Sequence, residues 1–499
     1  MPPAIKKKPK KAARKGLPGI LLGKTLKDQL LCAYGEQFVM LAAEPGSGKG
    51  VGVVIPNLLT YPDSVVVFDP KGENWNITSG WRQSQGHECY CFRPNSLQSH
   101  RWNPLDTIRR DPVWRLGDID AVGSVLFSAG AEAQNASFFR TAQNFFTAIL
   151  LFLLDSEPHI PVTLPQIYEI ACTPEGLDEW AKSVIRARRE RKQPLSDECE
   201  RELSVIIAAG RDAETFTSFT GILKQRLSLY AKKSVAAAVS HSDFDFDDLR
   251  KRKISVYVCL TVEELENAAM RQLINLLFSL GIRQNTRVEP KYGGQDENGD
   301  LLLKYQALFL MDEFAVLGCV EIMKIAPALT RSYNVRYLII FQNKDQLRSP
   351  GCYGLQGANA IMDAFHIEIV FAMGSFRAAE EYSKRLGNTT RRVTSRSRSS
   401  GGKGSSSGTN TSLHARPLML PQEIQEMPYD EELIFMLGSR RSKPLKVRAK
   451  KIFWYEDKFF TARANKAPPE PAFLSEEAAL SLCLTATKTV ELSRSFPLH

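Results

Sequence analysis

Short apolar runs alternate with longer stretches of helical periodicity over much of this 499-residue chain. Residues 38–42, 65–68, 89–92, 254–260, 307–311, 336–341, 366–371 and 432–436 read as strands. Several are rich in Val, Ile and Phe, as core strands are. Strands separated by helical stretches predict an α/β sheet. From Asp106 to about Asp243 the strand signals nearly vanish. Helical periodicity takes over at 118–128, 137–155, 177–189, 196–213 and 215–230, which predicts an all-α domain inserted between two strands. The charged stretch 186–192 reads as an exposed helix face, with DNA contact the alternative.

The first strand runs into Glu44-Pro45-Gly46-Ser47-Gly48-Lys49-Gly50, and residues 51–59 follow as a helix. Strand, glycine-rich turn, lysine and helix form the layout of a phosphate-cradling P-loop. Gly46, Ser47, Gly48, Lys49, Gly50 and Val51 would present backbone N–H groups and the helix N-terminus to an anion. Lys49 would reach the β- and γ-phosphates. Ala43 stands where the first glycine usually is, and Gly50 stands where a Mg²⁺-binding Ser or Thr usually is. The alternative is a plain glycine turn. A second run, Leu308-Phe309-Leu310-Met311-Asp312-Glu313, ends in two carboxylates at the edge where ligands bind such sheets. Asp312 is placed to hold Mg²⁺, and Glu313 to deprotonate water. The competing account is a strand end followed by an acidic helix start. The strand at 65–68 runs into Asp69-Pro70-Lys71-Gly72-Glu73, ordinary turn chemistry that nonetheless sets Asp69 near the loop. Gln342 ends a further core strand, where a glutamine can align water or sense the γ-phosphate, the alternative being a capped strand end.

Net charge is +10, which favours an anionic partner, nucleic acid or an acidic membrane surface. The nine cysteines show no zinc spacing and fit reduced thiols rather than a disulfide framework. No stretch reaches the about 18–20 unbroken apolar residues of a membrane span, and 145–154 reads as a buried helix. The basic N-terminus lacks a signal peptide's apolar core. The predicted organisation is a disordered basic arm over 1–16 and an α insert over 106–243. A nucleotide-binding domain is built from 17–105, 244–390 and 415–465. A flexible Ser/Gly-rich linker spans 391–414 and a tail spans 466–499.

Together 46–59, 69–73, Asn103-Pro104-Leu105, Asp312-Glu313, Gln342, 383–387 and Arg416-Pro417-Leu418 resemble the coupling-protein family of type IV secretion and conjugation, the TraG/TraD group. The Gly-Lys-Gly ending of the loop resembles a form common there. The resemblance implies an α/β, RecA-like P-loop ATPase with a predominantly parallel sheet and an inserted all-α domain. It further implies ATP and Mg²⁺ as cofactors and a homo-oligomeric, usually hexameric ring. Such a ring moves mainly single-stranded DNA, bound without sequence preference, together with a relaxase or secreted protein, into the transfer channel. By motif matching, Lys49 carries over as the phosphate lysine, Asp312 as the metal aspartate, Glu313 as the catalytic carboxylate, Gln342 as the sensor and Arg331 as the arginine finger, with Arg385 competing. The family usually begins with two membrane-spanning helices, which this sequence does not show. The expectation is a bacterial chain at the cytoplasmic face of the inner membrane, either a naturally soluble member brought there by a membrane-anchored recruiter or one from which the spans were removed. Two other functions stay open: a nucleotide-gated receptor for secreted proteins, and a duplex-DNA translocase of the FtsK/HerA sort.

Overall fold

The computed structural model describes residues 16–128, 135–401, 404–438, 443–471, 473–474 and 483–495. The basic arm lies outside the described residues except for Gly16, and so does part of the tail. The main sheet is built from β1 (Gly19–Lys24), β2 (Leu30–Tyr34), β3 (Val39–Ala42), β4 (Ser64–Pro70), β5 (Glu88–Phe92), β6 (Ile254–Leu260), β7 (Ala307–Met311), β8 (Val335–Phe341), β9 (Ile367–Val370), β12 (Glu431–Met436) and β13 (Leu445–Lys450). These eleven strands run in the order β2-β1-β13-β12-β9-β3-β8-β7-β4-β6-β5. From β9 to β5 every neighbouring pair is parallel. β12, β13, β1 and β2 extend that block antiparallel.

Every predicted core strand is present. β1, β2 and β13 carry weaker signals: β2 is largely solvent-facing, and Lys446, Arg448 and Lys450 alternate along β13. The pleat splits β3 between two cores. Phe38, Met40 and Ala42 face the helical side, while Val39 and Leu41 face Val53, Leu58 and Trp75. Two buried cations fasten the edges. The Arg336 guanidinium donates to the carbonyls of Gln37, Pro18 and Ala33 at 2.8, 3.0 and 2.9 Å, pinning β2 and the loop into β3 to the start of β8. The Arg82 guanidinium donates to Leu58, Tyr61 and Asp63 carbonyls beneath the loop that precedes β4. Both therefore sit in the interior with their donors satisfied.

The phosphate-loop helix opens as one π turn, Gly50–Val54, before α1 (Ile55–Leu58). Pro56 has no N–H to give to Gly52, and the wider turn relieves its ring. α2 (Glu73–Ser84) follows β4. Between β5 and β6 lie α3 (Pro112–Leu126), α4 (Ala136–Leu154), α5 (Leu164–Ala171), α6 (Leu177–Glu190), α7 (Asp197–Ala209), α8 (Ala213–Leu227) and α9 (Lys233–Ala238). Among the described residues α4 is the one helix long and apolar enough to cross a membrane. Its residues from Phe145 to Leu153 are buried among these helices, with Phe152 edge-on to Trp180 at 5.2 Å. The helix Ala486–Ser495 docks on α6, where Trp180 Nε1 donates to Thr489 Oγ1 at 3.2 Å.

Two expectations need correction. Residues 186–192 are not wholly a solvent face, because Arg188 turns inward and donates to the Asp155 carbonyl at 2.8 Å. The linker expected over 391–414 is a β-ribbon, β10 (Asn388–Gly401) against β11 (Gly404–Pro417), in continuous register from Asn388↔Pro417 to Gly401↔Gly404. Its low-complexity composition hides β-tolerant Thr389, Thr390, Val393, Thr394, Thr409 and Thr411, and the paired backbones satisfy one another.

Candidate functional site

The site forms at the carboxyl edge of the parallel block. β3 delivers the loop, and Gly46 and Gly48 take φ values of +74° and +88°, where a side chain is strained. Gly48 is also crowded, since a Cβ there would meet the Tyr429 hydroxyl at 2.9 Å. Ala43 needs no such freedom: it extends β3, its N–H donating to the Phe341 carbonyl at 3.0 Å. Ser47 closes the turn by donating Oγ–H to the Glu44 carbonyl at 2.6 Å, and the Glu44 carboxylate accepts from Gly374 N–H at 2.7 Å.

β7 delivers the two carboxylates. The structure brings Lys49 and Glu313, 264 residues apart, into a direct ion pair. Glu313 is a non-glycine residue held at φ +53°, a strained conformation that turns its side chain back to the loop. Asp312 sits beside it and accepts from the Glu313 N–H at 3.0 Å. Desolvation at the strand end pushes the Asp312 carboxyl up to about 6; Lys49 opposes the shift, and Glu313 and Glu73 add to it. Asp69 is fully buried, and burial pushes it to about 6 as well. Both its oxygens are taken by the N–H groups of Asn74 and Trp75, at 3.1 and 2.8 Å, so it anchors the start of α2 rather than facing a ligand. Gln342, half-buried at the end of β8, accepts from Gln346 Nε2 at 3.1 Å.

The arrangement suits a triphosphate with Mg²⁺. Glu313 holds an anionic group against Lys49 where a phosphate oxygen would lie. Among the described residues no preformed cluster of three metal-ligating side chains exists. Asp312 would offer such an ion one hard oxygen, leaving phosphate oxygens and water to complete the coordination usual for Mg²⁺.

The structure does not bring Arg331 to this cluster. It lies before β8, at the opposite end of that strand from Gln342, and donates to the Ala364 carbonyl and to His366 at 3.0 Å each, with its guanidinium over Phe38. Arg385 is ion-paired to the buried Glu368. Residues without a sequence motif close the other side of the loop. Lys451, just past β13, donates Nζ to the Ser47 carbonyl at 2.9 Å and lies over the Phe371 and Tyr429 rings. Tyr429, Phe453 and Tyr455 stack in series beside Gly48. The aromatic density at 453–460 marks Phe453 and Tyr455, and nothing in the sequence marks Tyr429 or Lys451.

The family model for type IV secretory system conjugative DNA transfer matches residues 4–475. VirD4 of Agrobacterium fabrum (strain C58) is 29% identical over 471 residues, covering 92% of this chain and 66% of the relative. VirD4 of Rhizobium rhizogenes is 30% identical over 450 residues, covering 88% and 62%, so the chain spans about two thirds of these relatives' length. The conjugal transfer protein TraG of Escherichia coli is 27% identical, covering 87% and 70%. Among solved structures, the unbound bacterial conjugative coupling protein TrwBdeltaN70 superposes with a TM-score of 0.58 at 14% identity, covering 92% of this chain and 96% of its own. TrwB in complex with the ATP analogue ADPNP gives 0.58 at 13%, covering 88% of each chain. The TrwB likeness identifies the RecA-like fold, and by its family match this chain belongs to the type IV secretory system conjugative DNA transfer proteins.

Proposed function

We propose that the protein is a coupling ATPase that drives a relaxase-bound DNA strand toward a type IV secretion channel, working as a ring of identical copies. The Lys49–Glu313 pair beside Asp312, at the carboxyl edge of a parallel sheet, carries this reading. The ATP analogue bound by TrwB supports it. Lys49 and the loop N–H groups bind the phosphates. Lys49 exchanges Glu313 for a phosphate oxygen, and the released carboxylate takes the proton of the attacking water. Gln342 orients that water. Asp312 would hold Mg²⁺, which would supply positive charge beside the terminal phosphates. Gly50 offers no hydroxyl, and Asp69 is occupied by α2, so Asp312 is the principal side-chain ligand. Arg331 serves as the finger only for a neighbouring copy, and only after releasing Ala364 and His366.

Steady-state ATP hydrolysis tests the assignment. Lys49→Ala and Glu313→Gln each lower the rate at least about 100-fold. Lys49→Ala also loses nucleotide binding, whereas Glu313→Gln keeps it. Wild-type rates in either variant refute the scheme. Tight capture of a secreted protein without hydrolysis would favour the receptor.

A further inference from the structure

Tyr429, Phe453 and Tyr455 form a ladder whose ring centroids are 5.6 and 5.8 Å apart, with interplanar angles of 5° and 28°. Tyr429 is 56% exposed and Tyr455 48%. Phe453 lies between the two tyrosines and Lys451 lies over Tyr429, so the ladder offers its open π-face at Tyr455. The ladder is fixed to the phosphate loop. The Tyr429 hydroxyl donates to the Gly46 carbonyl at 3.5 Å, and Lys451 bridges the Ser47 carbonyl and the Tyr429 ring.

Its side of the loop carries the argument. In the sheet order β13-β12-β9-β3-β8-β7, the groups that face a terminal phosphate, Glu313 and Asp312, follow β7. Tyr429 precedes β12 and Phe453 follows β13, on the other flank of β3. A triphosphate threaded along the loop with its terminal phosphate toward Glu313 therefore points its nucleoside at the ladder. Resting on the nucleotide reading above, we infer that Tyr429, Phe453 and Tyr455 form the base subsite, which grips a purine by stacking rather than by hydrogen bonds to its edge. Stacking recognises the area of a π-face and tolerates its substituents. The subsite accordingly prefers purine over pyrimidine triphosphates and separates adenine from guanine weakly.

Calorimetric titration of the full chain with ATP and with inorganic tripolyphosphate, which has no base, tests this. In Tyr455→Ala and Phe453→Leu the ATP dissociation constant rises about tenfold. Tripolyphosphate binding stays unchanged, and Tyr455→Phe behaves as wild type. Equal weakening of both ligands would reduce the rings to props for the loop and overturn the subsite. So would unchanged ATP affinity, whether or not single-stranded DNA binding falls. Wild-type protein that binds tripolyphosphate but gains nothing from the base also overturns it while leaving the phosphate site standing. Wild-type protein that binds neither removes both.

Discussion

At the residue scale, the site is a balance of carboxylates that the fold holds at a cost. Asp312 and Asp69 are both raised to about 6, chiefly by desolvation. A carboxyl whose folded value exceeds its unfolded value of about 4 binds protons more readily when folded, so its penalty grows as pH rises through that interval. Asp312→Asn should raise the thermal midpoint of the nucleotide-free protein at pH 7.5, and the gain should disappear near pH 4. The same titration predicts that Mg²⁺-dependent nucleotide affinity weakens below about pH 6, because a protonated Asp312 cannot bind metal. Calorimetric scans and titrations at pH 5 and 7.5 check both. Lys49, Asp312 and Glu313 are legible in the sequence because loop glycines and strand-end carboxylates are local signals. Lys451 and the aromatic ladder are not, since each gains meaning only where β13 is stitched beside β3 by β12 and β9. Asp69 reads as turn chemistry set near the loop, and only the two N–H donors from α2 show that it anchors that helix.

At the scale of elements, the continuous apolar strands and the helical insert can be read from periodicity, whereas the ribbon cannot. β10 and β11 look like a linker because Ser, Gly and Thr carry no hydrophobic period, and their order comes from pairing with each other. Residues 391–414 hold Arg391, Arg392, Arg396, Arg398 and Lys403 and no acidic residue. An isolated two-stranded ribbon contributes little to global stability. Excising 391–414 and joining the ends by a short Gly-Ser turn should leave the thermal midpoint within about 2 °C. Single-stranded DNA should bind more weakly, with the slope of log affinity against log salt shallower by about 0.7 for each phosphate that an arginine no longer neutralises. Fluorescence anisotropy across a salt series measures it, and an unchanged slope would place the DNA path elsewhere.

At the scale of the whole molecule, the +10 charge and the family assignment make DNA the partner to test against the proposed ATP hydrolysis. Single-stranded DNA should stimulate hydrolysis at about 50 mM salt and lose much of that effect by about 200 mM, as counterion release weakens binding. ATP should shift the mass toward a ring. Light scattering run alongside the ATPase assay follows both, and salt-independent stimulation would argue against backbone binding. Sheet order has a further consequence, for synthesis. Val39 pairs with Leu338 and Ile367, so the β3 partners arrive 299 (338 − 39) and 328 (367 − 39) residues later. At about 5–20 residues per second, a growing polypeptide carries an unpaired apolar strand out of the ribosome for on the order of 15–60 seconds. Yield in the cell should then depend on how well chaperones shelter β3 until its neighbours emerge.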